Sequence, residues 1–169
     1  MLKSDAMNTG ATSSVYPWFA CSGVLFLLDQ LSKWWVVNHI SVGEFVNMMP
    51  SLALTLTYNT GIAFSLFSQQ AMLGKVLLLA FVGVISVIIA VWLAKTPATD
   101  KWNRAALTLI LGGALGNLCD RLVYGHVVDF IDFYYKSWHW YTFNLADCFI
   151  TLGALMTIKS LIFSKETEE

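Results

Sequence analysis

The stretch VLLLAFVGVISVIIAVWLA, residues 76 to 94, runs without a single charged side chain. The hydrocarbon core of a bilayer calls for about twenty apolar residues in helical form, so this stretch reads as the centre of a membrane span from about residue 72 to 94. Three others approach the same length, at about 18 to 37, 104 to 124 and 141 to 163. The expected fold is an α-helical polytopic membrane protein with four transmembrane helices. The three remaining spans each carry an aspartate: Asp29, Asp120 and Asp147. An ionisable group inside a span normally faces protein or water and marks function. Spans one, three and four are therefore expected to build the site.

Composition agrees with this reading. The 169 residues are 57% hydrophobic and 12% charged, with a mean hydropathy of +0.63, well above a soluble domain of this length. We read residues 1 to 169 as a single membrane-embedded domain. A net charge of -1 without any basic run removes the electrostatic footprint of a nucleic-acid binder. Cys21, Cys119 and Cys148 lie in or beside apolar runs, where cysteine behaves as a small hydrophobe, so no disulfide framework is expected. Residues 1 to 16 lack the basic start of a secretory signal, and the first span reads as uncleaved. Lys95, Lys101 and Arg104 crowd the linker between spans two and three, whereas the loops 38 to 71 and 125 to 140 offer only Lys136. By the positive-inside rule, both termini and that linker are cytoplasmic. Asp129 and the start of the fourth span then lie toward the outer face.

The first outer loop is too long to be structureless without cause. From Leu52 to Tyr58, large residues alternate with Ala53, Thr55 and Thr57, which is strand periodicity. Asn59-Thr60-Gly61 supplies a turn before a second alternation through Ile62, Phe64 and Leu66. A small β-hairpin on the outer face, able to cradle a bound chain, is expected.

Asp129 follows one apolar run and Asp147 sits one turn into the next, so two carboxylates can meet near the membrane surface. Like charge and poor solvation push the pKa values of two such acids apart, leaving one as base and the other as acid, the arrangement that activates water against a peptide bond. Asn144, Asp147 and Thr151 fall on one face of the fourth helix, where a plain hydrogen-bonding stripe between helices is the competing explanation. In the third span, Gly112, Gly116 and Asp120 are four apart, and the glycines invite close helix approach. Asn117, Asp120 and Arg121 form a polar knot, in which Asp120 beside Arg121 reads as an ion pair and a supporting group. Asp29 and Lys33, one turn apart, read as another. Asp132, three after Asp129, would point to the opposite face of a strand. His39, His126 and His139 form no ligand pattern, so no metal or other cofactor is expected. Trp138, Trp140 and Tyr141 suit an aromatic belt.

Together these residues resemble the lipoprotein signal peptidase (signal peptidase II) family, bacterial inner-membrane aspartyl peptidases. The resemblance is carried in order by Asp29-Gln-Leu-Ser-Lys33, Tyr58-Asn-Thr-Gly-Ile-Ala-Phe64, Gly112 through Arg121, Val127-Val-Asp129-Phe and Phe143-Asn-Leu-Ala-Asp147. It implies that Asp129 and Asp147 are catalytic, with Asp29, Lys33, Asn59, Gly61, Asn117, Asp120, Arg121 and Asn144 supporting. It also implies a prolipoprotein substrate cut before a diacylglyceryl cysteine, and inhibition by the cyclic peptide globomycin. A monomer in membrane lipid is expected. The competing class is an ion-relaying carrier, which would be expected to show inverted repeats.

Overall fold

The computed structural model describes residues 14–61 and 71–163. Its elements run α1 (Tyr16–His39), β1 (Phe45–Met49), β2 (Leu52–Asn59), α2 (Ala71–Lys95), α3 (Lys101–Val123), β3 (Val127–Tyr135), β4 (Trp138–His139) and α4 (Leu145–Phe163). Three of the helices, α2, α3 and α4, are long and apolar enough to cross a membrane. The sequence reading expected four such spans. In α1 the apolar run is interrupted by Asp29, Gln30 and Lys33, which lowers its hydropathy, yet Asp29 and Lys33 are buried and Leu27, Leu28, Leu31 and Trp34 are exposed. Its charge is turned inward.

α3 is the central helix, packed against α1, α2 and α4. Its glycines make this possible. A methyl group at Gly112 would lie 2.7 Å from Cβ of Leu25 in α1, and one at Gly113 would collide with the carbonyl of Ala146 in α4. Without those side chains the backbones close to a distance that larger residues forbid. At the far end, Asp100 caps α3 by accepting from the Asn103 N–H at 3.0 Å, which satisfies an otherwise orphaned donor. Arg104 is buried there and donates from Nε to the Thr96 carbonyl at 3.1 Å. It thereby secures the chain just beyond α2 and is no freely exposed member of the basic linker.

A four-stranded antiparallel sheet in the order β1-β2-β3-β4 closes the opposite end. β2 is the strand that the alternation from Leu52 predicted, but among the described residues its partners are β1 and β3. The hairpin turn is at Pro50-Ser51, where Ser51 takes a positive φ of 69°; the expected second arm through Ile62, Phe64 and Leu66 lies outside the described residues. Between the pairs Leu54↔Ile131 and Thr57↔Asp129 the register shifts by one extra residue in β2. This bulge brings Thr57 opposite Asp129, and Asn59, two further along, onto the same face. Val36 of α1 and Ile40, just beyond its end, pack with Leu56, Val128 and Phe130 to fix the sheet on the helices.

Candidate active site

β3 delivers Asp129, and the end of the following loop delivers Asn144. Phe130 and Ile131 donate their backbone N–H groups to the Phe143 carbonyl at 2.9 and 2.8 Å, and Phe143 returns an N–H to Ile131 at 3.0 Å. These bonds hold the residue before Asn144 against the strand that carries Asp129. Asn144 then donates from Nδ2 to Asp129 Oδ1 at 2.6 Å.

Asn144 also caps α4. Its Oδ1 accepts the Asp147 N–H at 3.0 Å, while Asp147 Oδ2 accepts the Asn144 N–H at 3.1 Å. This is a reciprocal capping box made from Asn and Asp. The helix therefore begins at Leu145 and not near residue 141, and Asn144, read from the sequence as a member of the helical face, is its cap. Thr151, read as sharing that face, is exposed.

Asn117 of α3 completes the bridge between the acids. Its Nδ2 donates to Asp147 Oδ1 at 2.8 Å, and its Oδ1 accepts from Asn144 Nδ2 at 3.1 Å. The second oxygen of Asp129 accepts from Asn59 Nδ2 at 3.0 Å. Asn59 is held by its own turn, for its Oδ1 accepts the N–H of Gly61 at 2.9 Å, and Gly61 has φ +76°, a region that glycine enters without strain. Asp129 is 3% exposed and Asn144 0%. Burial pushes the Asp129 carboxyl up to about 6; the Asn59 hydrogen bond opposes the rise, the charge of Asp147 adds to it, and Asn144 and Lys33 act against it.

A second polar cluster adjoins the first through the same Asn117. Lys33 Nζ contacts Asp29 Oδ2 at 2.8 Å, Asp120 Oδ2 at 2.9 Å and Asn117 Oδ1 at 3.0 Å, so its three donors have three acceptors. Asp29 Oδ1 accepts the N–H of Ala146, in the first turn of α4, at 2.9 Å. Asp120 Oδ2 also accepts the Val128 N–H at 3.1 Å. The expected Asp29 and Lys33 pair is present. The expected Asp120 and Arg121 pair is not: neighbours on a helix point about 100° apart, and Asp120 meets Lys33 across the helix interface. Arg121 donates to the Asn117 carbonyl at 3.1 Å and lies within electrostatic reach of Asp147, Asp129 and Asp120. Gln30, which the sequence reading passed over, donates to Asp120 Oδ1 at 2.8 Å. Asp132 contacts none of this; its buried carboxylate is bound by His139 Nδ1 at 3.0 Å.

Asp129 and Asp147 are thus two acids bridged by carboxamides at the end of a helix bundle, close enough for the charge of Asp147 to raise the pKa of Asp129. Among the described residues no three His, Cys, Asp or Glu side chains are grouped as a metal would need. The family model of signal peptidase (SPase) II matches residues 21–163. The chain belongs to the signal peptidase II family. Relatives of this peptidase include a lipoprotein signal peptidase of Coxiella burnetii strain RSA 493, 38% identical over 96% of this chain and 99% of that one. Another, from Ralstonia nicotianae, is 42% identical over 92% and 90%. A bacterial membrane enzyme solved by the in meso method at 1.9 Å matches with a TM-score of 0.72 and 27% identity, covering 88% of this chain and 94% of its own. For a signal peptidase II, every matched segment quoted above from Asp29 to Asp147 falls inside the family's span.

Proposed function

We propose that this signal peptidase II is an aspartyl endopeptidase that removes signal peptides from diacylglyceryl-modified prolipoproteins, cleaving before the lipidated cysteine. The observation that carries the reading is the bridging of Asp129 and Asp147 by Asn144 and Asn117 in one buried network. Asp129, with its raised pKa, carries the shared proton and gives it to the scissile carbonyl oxygen. Asp147 takes a proton from the attacking water. The tetrahedral intermediate collapses as the C–N bond breaks, Asp147 passing its proton to the leaving amine and a hydroxyl of the intermediate returning a proton to Asp129. Arg121 and Asn59 lie beside the acids and are placed to orient the peptide, with Asp29, Lys33, Asp120 and Gly61 supporting them.

α1 is read as the fourth span, since a 24-residue helix reaches about 36 Å and hides its charges. The basic linker at Lys95 and Lys101 supports cytoplasmic termini in a bacterial inner membrane, with the sheet and both acids toward the outer face. A lipid-anchored scissile bond would be presented at that depth. Substrate and globomycin-type inhibitors then share the cleft between the sheet and the helices, in a monomeric enzyme. The deciding experiment reconstitutes the full chain in lipid with a diacylglyceryl prolipoprotein and follows release of the signal peptide. Cleavage by the wild type and none by Asp129→Asn is expected; cleavage that survives both Asp129→Asn and Asp147→Asn would sink the aspartyl reading.

A further inference from the structure

A cavity of about 350 Å³ lies between α1 and the sheet, lined in part by Val128 and Tyr58. These two residues pair across β2 and β3, and each is one step from Asp129 and Asn59 respectively, so they project from the opposite face to the candidate acids. The cavity is thus separate from the cleft in which a peptide would meet Asp129. The proposed reaction uses none of its aromatic residues.

Its walls are Trp34, Tyr58, Tyr124 and His126. The rings are gathered: Tyr58 and His126 have centroids 4.5 Å apart, and Tyr124 and His126 6.0 Å. Trp34 of α1 and Tyr124, just beyond α3, are 63% and 60% exposed at its rim, beside the exposed apolar residues Leu31, Leu122 and Val123. Its floor is Gln30, Lys33 and Asp120. Lys33 has every donor committed to Asp29, Asp120 and Asn117, so its ammonium is already matched by carboxylates and has no donor left to offer an anion. Gln30 donates its amide to Asp29, Gly116 and Asp120, leaving its carbonyl as an acceptor with no partner among the described residues. An aromatic enclosure attracts cations through the ring quadrupoles, and a floor that presents a free carbonyl oxygen with no free donor suits an ammonium better than a phosphate.

We propose that this cavity is a binding site for the ammonium group of a phospholipid headgroup, such as phosphatidylethanolamine, with Trp34 and Tyr124 at its mouth and the Gln30 carbonyl as hydrogen-bond acceptor. The acyl chains would lie along the apolar outer surface of α1. The lipid is held beside the enzyme's ion-pair cluster and takes no part in the reaction.

The test offers the purified full chain equal amounts of phosphatidylethanolamine and phosphatidylglycerol in detergent, with retained lipid counted by native mass spectrometry. Wild type is expected to retain phosphatidylethanolamine preferentially. Tyr124→Ala should weaken that retention about fivefold, the worth of one cation–π contact, whereas Tyr124→Phe, which keeps the ring face, should preserve it. Thermal unfolding of the lipid-free variants monitors folding, and Trp34→Leu provides a second probe should Tyr124→Ala fold poorly. Equal retention of the two lipids, preference for phosphatidylglycerol, or equal losses in Tyr124→Ala and Tyr124→Phe would overturn the proposal. Preference that persists unchanged in Tyr124→Ala and Trp34→Leu would overturn it as well.

Discussion

Two acid clusters share Asn117, and they are solved in opposite ways. In one, Asp29 and Asp120 close on Lys33, an ammonium whose three donors are all used. In the other, Asp129 and Asp147 receive hydrogen bonds only from carboxamides and a backbone N–H, and among the described residues neither makes an ion pair. Burial is similar, as Asp29 and Asp129 are 0% and 3% exposed. The difference lies in the partner. An ammonium compensates its carboxylates and fixes them as structure, whereas a carboxamide orients a carboxyl without removing its freedom to hold or release a proton.

The largest effect should come from the pair without a cation. Asp129→Asn and Asp147→Asn each keep the side-chain volume, and each should lower turnover by on the order of a thousandfold or more while the protein remains folded. The double variant should be little worse than either single one, since groups acting as one unit are not additive. Additive losses in a cleavage assay would show that the acids work independently.

The neutralised cluster should respond in stability. Lys33→Met leaves two buried carboxylates without their counter-charge and should destabilise the fold by about 3 to 5 kcal/mol, seen as a lowered midpoint of thermal unfolding in detergent. An unchanged midpoint would mean that the trio is not the brace its geometry suggests.

A smaller effect sharpens the contrast through pH. The folded-state pKa of Asp129 is raised from 3.8 to about 6, so the folded protein keeps a proton that the unfolded chain releases. Stability from this group is fully present below the unfolded value and falls by up to about 3 kcal/mol as pH rises through about 6. Asp129→Asn should flatten that slope in unfolding measured between about pH 4 and 7. A wild-type slope of the reverse sign would contradict the assignment of the shared proton to Asp129.

The smallest concerns the turn that holds Asn59 against Asp129. Gly61→Val places a β-branched side chain at φ +76°, with its Cβ 3.2 Å from Leu78 Cδ2. That strain is worth roughly 1 to 2 kcal/mol, and should displace Asn59 from Asp129 and reduce cleavage about tenfold. Normal cleavage kinetics in the variant would reduce Asn59 to a structural residue of the turn.

Much of this contrast was legible from residue order. The charge-free run at 76 to 94 gave the fold class, the one-turn spacing gave Asp29 with Lys33, and the absence of neighbouring cations separated Asp129 and Asp147 from the other acids. Legibility ended where partners are distant in sequence. Asp120 was matched to adjacent Arg121, although helical geometry points them apart and its cation comes from another helix. Asn144 was taken as helical because the apolar segment around Tyr141 and Phe143 resembles a helix start, and only the bonds to β3 reveal those residues as extended. The turn residues at Asn59 to Gly61 gave a hairpin direction, while the Pro50-Ser51 turn and β1 went unread because Phe45–Met49 is too short to show clear alternation. Gln30 and the Asp132–His139 pair left no periodic signal at all.

The bond from the Ala146 N–H to Asp29 joins residues 117 apart, passing Gly116 where any side chain would block it. A nascent chain that has already made its first three helices still lacks the helix carrying Asp147. The bonds that α4 makes to Asp29 and Asn117 can therefore form only at the end of its synthesis. The polar network closes only when the last helix leaves the ribosome and docks beside the first, so the moment of its completion is written into the order of its segments.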